Sequence, residues 1–217
     1  MRQLILIFLA TFTFSITSNA QFNVNGNETI LTPKEDVAVP ISLKGIQFKK
    51  YLSQDYKPAF VDDIKEQAYL RYNIFDDEME YVKGNQIYYL KKEIGRTVRF
   101  ADNTTYKVYQ KSGTLKFFLV NVEGKNDLVT NQIVKFYPKE EPLSGYDRGQ
   151  SADYKRRNDE FYIATKSRVI QLPTKKKSFY KFFGPKAAKI KSYLKKNRLS
   201  YKKIEDLEKV ITYYNTL

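Results

Sequence analysis

Asp76, Asp77, Glu78 and Glu80 crowd four carboxylates into five residues. Clustered carboxylates suit a hard cation such as calcium. The spacing lacks the alternate acids, central Gly and closing Glu of an EF-hand loop. In a strand, Asp77 and Glu78 would also face opposite sides. The expectation is a solvated hairpin turn with an acidic outer strand face. A carboxylate pair about 5–10 Å apart could instead cleave a glycosidic bond without any His. Asp62, Asp63 and Glu66 add to the acids on hand for that chemistry. No Trp is present to stack on a sugar, although Tyr can take that part.

Two absences narrow the field further. With no His, the usual general base near neutral pH is missing. With no Cys there is no thiolate and no disulfide. Ser-His and Cys-His nucleophile systems and ordinary zinc sites are excluded. The expectation is a protein without catalytic residues, metal or cofactor.

Cations supply the stronger signal. Residues 151–217 carry 18 Lys and Arg against 6 Asp and Glu, a net of +12. Residues 21–150 carry 19 against 18 and are nearly neutral. Candidate anion contacts are Lys175, Lys176, Lys177, Lys189, Lys195 and Lys196, together with Arg156 and Arg157. Lys186, Lys191, Arg198, Lys202 and Lys203 extend the basic tail. Phe179, Tyr180, Phe182 and Phe183 lie among these cations and could seat at a lipid interface. Tyr146, Arg148 and Tyr154 precede the arginines and could clamp an anionic or sugar ligand with them. The partners such charge suits are anionic lipid, lipopolysaccharide, acidic polysaccharide or an envelope protein. Nucleic acid would use the same charges, but export argues against it. The plainer reading is that lysines merely coat helices whose apolar stripe packs on a sheet.

Export is read from the start of the chain. Arg2 precedes an apolar run, Leu4 to Phe14, broken only by Thr11 and Thr13. Ser18-Asn19-Ala20 then offers small residues ahead of a cleavage between Ala20 and Gln21. As a helix the run spans about 16 Å, half of a bilayer core, and makes a poor anchor. The expected address is the periplasm or the outer envelope and beyond. The mature chain, from Gln21, contains no further stretch of about 20 apolar residues.

The elements that must hold these groups are mostly strands. Gln21–Glu35 is polar and reads as a loose start. Val37–Leu43 and Gln47–Leu52 read as short strands, and Asp55–Pro58 as a turn. Gln67–Phe75, Glu78–Lys83 and Gln86–Lys92 alternate as a β-meander, with Gly84-Asn85 as a two-residue hairpin turn. Thr97–Ala101, Thr105–Gln110, Leu115–Val122 and Leu128–Tyr137 continue the series. Residues 139–159 lack any period and read as a long loop, working or disordered. Glu160–Thr165 and Arg168–Leu172 form a last hairpin. Lys175–Phe183 then reads as a helix stopped by Gly184. Pro185 opens a second, with Ala187, Ile190, Tyr193 and Leu194 on one side. A third follows Ser200 as N-cap, with Ile204, Leu207, Val210, Ile211 and Tyr214 as its stripe and Glu205 placed to pair with Lys209.

The expected fold is therefore α+β. A mainly antiparallel β domain at 21–172, a meander that is open, barrel-like or sandwich-like, follows a signal peptide at 1–20. A unit of two or three short helices at 173–217 docks on it. The runs YLRYNIFDDEMEY (69–81), VEGKNDL (122–128) and KSYLKKNRLSYKKIEDLEKVITYYN (191–215) resemble exported proteins of Bacteroidota-type Gram-negative bacteria. That resemblance implies an envelope address and assigns no activity. The expected function is a non-catalytic envelope protein meeting an anionic surface or partner through its basic C-terminal face. A carboxylate-based glycan hydrolase and a structural or assembly module are the alternatives.

Overall fold

A computed structural model describes residues 31–34, 41–83, 86–142, 149–166 and 168–217. The signal-like start, the Ala20–Gln21 junction, the Gly84-Asn85 turn, Tyr146 and Arg148 lie outside these residues.

Alternating aromatic and β-branched residues build one long, mostly antiparallel sheet, as the sequence pattern requires. Its strands are β1 (Leu31–Pro33), β2 (Lys57–Val61), β3 (Ala68–Asn73), β4 (Glu78–Lys83), β5 (Gln86–Leu90), β6 (Thr97–Phe100), β7 (Thr105–Lys111), β8 (Thr114–Val122) and β9 (Asp127–Asn131), joined by β12 (Glu160–Thr165) and β13 (Arg168–Gln171). The spatial order is β1-β5-β4-β3-β2-β6-β7-β13-β12-β9-β8. Because β7 also bonds to β8, the last five strands close into a barrel. One pairing is parallel, β13 on β7. β10 (Val134–Tyr137) and β11 (Asp153–Arg156) form a separate two-stranded ribbon.

Period-two alternation distributes the core over three layers. Tyr109, Phe118, Val129, Tyr162 and Ala164, with Val169, fill the barrel, and every one of its five strands contributes. The outer faces of β7 and β8 send Tyr106, Val108 and Phe117 against the curled meander, where they meet Leu70, Met79 and Leu90. The outer faces of β9 and β12 send Leu128 and Ile163 against the helices. Strand β9 is thus covered on both sides, and all five of its residues are buried.

The helices are α2 (Lys176–Phe182), α3 (Ala187–Lys196) and α4 (Ile204–Thr216), following a four-residue α1 (Ile41–Lys44). Gly184 adopts φ +52 after α2, in the left-handed region that glycine enters at no steric cost. Pro185 lies in the 3-10 turn that leads into α3. Ile190 and Leu194 of α3 and Leu207, Val210 and Ile211 of α4 are buried, so the expected apolar stripes face the barrel. No helix among the described residues is long and apolar enough to cross a membrane.

Several local expectations are corrected. Residues 31–33 are not loose but pair with β5. Ile41–Lys44 is helical and Gln47–Lys50 is a 3-10 turn, not strand. That turn lies against the hairpin end, with backbone N–H groups of Ile74 and Phe75 donating to Lys50 O. Pro58 is inside β2 and opposes Tyr69. The apolar run 128–137 divides between β9 in the barrel and β10 in the ribbon. Within 139–159 lies β11, and Glu140 bridges Gln150. Gly149 (φ +60) is required there, because a Cβ would sit 2.5 Å from Glu140 O. Except for the helix 41–44, these follow from partners elsewhere in the chain, which local periodicity does not report.

Candidate functional site

The sheet and the helices meet at a groove of about 860 Å³. Arg156–Phe161, running from the ribbon into β12, and Gln171–Thr174 form one side, and Tyr201–Glu205 with Leu207 the helix side. Leu172 and Leu207 are buried and anchor the two sides in the shared core. Arg156 and Arg157 fall at the end of β11, and Lys202 and Lys203 in the turn ahead of α4, so chain segments 45 residues apart bring four cations together.

These cations are not equivalent. Arg156 donates to Ile133 O at 2.9 Å and Arg157 O at 3.0 Å and pairs with Asp159. Glu160 answers Lys111 at 3.1 Å and accepts from Tyr162 and Asn131. Burial raises the Glu160 carboxyl, but those three donors prevail and hold it below its usual range. Arg157 donates to Tyr137 OH at 3.1 Å and has no carboxylate partner among the described residues. The Lys202 ammonium lies over the Tyr201 ring, at 5.7 Å, and pairs with no carboxylate among the described residues, and Lys203 is exposed. The groove's lining therefore holds three cations without an ion pair among the described residues, Arg157, Lys202 and Lys203, against one such acid, Glu205.

The meander differs in degree. There most cations are paired: Lys34 and Arg71 with Glu80, Lys50 with Asp76, Lys57 with Asp102, Lys92 with Asp77 and Glu78, and Arg96 with Asp62 and Glu93, while Lys65 and Arg99 have no ion pair among the described residues. Among the described residues, no Lys or Arg after Arg156 forms an ion pair. Glu205 and Lys209 do not pair as their spacing suggests. Lys203, not Ser200, occupies the N-cap of α4, and it caps nothing with its side chain. Ser200 N instead donates to Asp206 at 2.9 Å.

The structure divides the remaining predicted cations. Lys175 is the N-cap of α2 and Lys176 and Lys177 its first residues, all exposed and next to Thr174 at the groove. Lys189 and Lys196 line a second cavity, of about 500 Å³, with Ser192, Tyr193, Asn197 and Tyr213. Lys195 is exposed and lines neither. The aromatics expected at a lipid surface point inward: Phe179 and Phe183 are buried, and Tyr180 and Phe182 pack on the same cluster. Tyr154 is buried against Ile74 and Val134 and cannot clamp a ligand.

The acidic cluster is also corrected. Glu80 is fully buried and Asp77 nearly so. Glu80 accepts from Arg71 Nη2 at 2.5 Å, Tyr51 OH at 3.1 Å and Asn73 Nδ2 at 3.2 Å. Arg71 lies between the rings of Tyr51 and Tyr56, at 4.1 and 4.4 Å. Burial pushes the Glu80 carboxyl up, yet the bonds from Arg71 and Asn73 and the nearby Lys34 outweigh it and hold it low. Asp77 accepts from Tyr72 OH at 2.7 Å and Phe117 N at 3.2 Å, tying the β3–β4 turn to β8. No group of three or more acids among the described residues could hold a metal.

The hydrolase reading needs two acids in one Tyr-lined cleft. Asp55 and Asp102 do line a cavity of about 130 Å³ beside Tyr72 and Tyr106. A general acid there would need a raised pKa. Asp102 is instead pulled down to about 2 by hydrogen bonds from Thr104 and Lys57. The carboxyls that burial does raise, Asp77 and Glu78, share Lys92 and line no such cleft. Asp62 is held by Arg96 and Thr97 N.

Comparison with protein-family models, curated proteins and solved structures finds no match for the chain.

Proposed function

We propose that this is an exported, non-catalytic envelope protein that binds an acidic polysaccharide in the groove between barrel and helices. The observation that carries the reading is the convergence of Arg157, Lys202 and Lys203 on one concave surface without carboxylate partners. A groove admits a chain between its two sides, where these exposed cations lie, whereas a flat bilayer cannot enter it. Lipid is disfavoured for a second reason, since the aromatic side chains that would anchor in it are packed in the core. The signal-like start and the resemblance to exported Bacteroidota-type proteins support the envelope address. Single exposed ion pairs contribute about 0.2–1 kcal/mol, so three together support roughly tenfold in affinity.

The test is titration of the mature chain with polygalacturonate across a salt series, beside the R157Q/K202Q/K203Q variant. Binding that weakens with salt and falls about tenfold in the variant is expected. Equal binding by both proteins refutes the groove. Preference for phosphatidylglycerol vesicles over the polymer would replace the polysaccharide with a membrane.

A further inference from the structure

The second cavity has chemistry that the groove lacks. Tyr193 of α3 and Tyr213 of α4 stack with ring centroids 4.2 Å apart and planes 11° from parallel. Both rings are half-buried and line the 500 Å³ space. Neither hydroxyl hydrogen-bonds to the protein among the described residues. On α3, Lys189 precedes Tyr193 by one turn and Lys196 follows it by three residues, so both lysines share its face. Lys186 and Lys202 each lie over a tyrosine ring, Tyr214 at 5.0 Å and Tyr201 at 5.7 Å. Lys189 and Lys196 lie over none and pair with no carboxylate among the described residues. Ser192 and Asn197 add polar groups, and Asn197 Nδ2 is fixed on Tyr193 O at 2.9 Å.

We infer that this cavity is a sugar-ring subsite for a pyranose bearing an anionic substituent, a uronic acid unit. Stacking occupies one face of each ring, and a remaining outer face can take the C–H face of a pyranose, while free hydroxyls and ammonium groups take its oxygens and its charge. The volume lies within the range of small-ligand sites, about 300–1,000 Å³. The inference rests on the polysaccharide reading and sharpens it: the groove senses charge alone, and this site senses the ring together with its charge.

The experiment compares oligogalacturonate with inorganic polyphosphate, which has charge and no sugar ring, at low salt. The proteins are wild type, Y213L, Y213F and K189Q/K196Q, each checked for its native circular dichroism and melting. Y213L is expected to lose about tenfold in affinity for oligogalacturonate and less than twofold for polyphosphate. Y213F keeps the stack and tests the hydroxyl without risk to the fold, with about threefold loss expected for the sugar alone. K189Q/K196Q should weaken both ligands. Unchanged oligogalacturonate affinity in Y213L and Y213F, with loss in R157Q/K202Q/K203Q, would overturn the subsite and leave the groove standing. Equal loss of both ligands in Y213L would also overturn it. Absence of any oligogalacturonate binding by wild type would overturn both readings.

Discussion

Gly124→Ala should loosen the helical unit from the barrel, and the cost can be worked from three hydrogen bonds. Asn215, near the end of α4, reaches the β8–β9 turn. Its Oδ1 accepts from Asn126 N and Asn126 Nδ2, each at 3.0 Å, and its Nδ2 donates to Asn126 O at 2.9 Å. A Cβ on Gly124 would stand 2.5 Å from Asn215 Nδ2 and 3.1 Å from its Cγ. The glycine's φ is not in the left-handed region, so the obstacle is the close approach and not the backbone. The amide must therefore swing away and release its bonds. Each nets about 0.5–1.5 kcal/mol, so the three total about 3 kcal/mol. Alanine returns about 0.4–1 kcal/mol by restricting the unfolded chain. The net cost is about 2 kcal/mol, or roughly 4–8 °C in Tm for a chain of this size. Urea unfolding of G124A, N215A and the double variant tests the mechanism. Once Asn215 is truncated the clash is gone, so the double variant should be no less stable than N215A, giving a coupling of about 2 kcal/mol. Additive effects, within about 0.5 kcal/mol, would refute the argument.

Glu80→Gln removes a buried negative charge from beneath Arg71 and should cost about 3 kcal/mol near neutral pH by chemical denaturation. Because the folded carboxyl titrates below its ordinary 4.5, the wild-type advantage is complete above that value. It should fade as pH falls through the folded pKa, and a pH-independent difference would count against the assignment. Arg71→Lys keeps the charge but loses the planar group held between Tyr51 and Tyr56; a loss of about 1–2 kcal/mol is expected in the same assay. Phe118→Ala empties part of the barrel interior, where Phe118 is fully buried against Tyr109 and Tyr162. Thermal unfolding should report a loss of about 3–5 kcal/mol.

Much of this fold is local enough to read in one dimension. Alternation over 67–75 and 78–83 announces strands because successive side chains divide between two faces. Gly184-Pro185 announces the break between two helices, since only glycine takes a left-handed φ freely and proline suits a helix start. The cationic excess of the C-terminal third, and the lack of His and Cys, are equally plain in composition. Tertiary structure alone decided the rest. Barrel closure depends on β7 bonding β8 and β13 at once, a pairing across 58 residues that no window of sequence contains. Glu80 reads as a surface acid until Tyr51, from 29 residues earlier, lies over it. Lys202 and Lys203 look like any helix-coating lysines until β11 sets Arg157 in the same groove. The periodicity of a segment says which side chains share a face, whereas what lies opposite that face is set by distant chain, and that decides which charges are paired and which are left for a ligand.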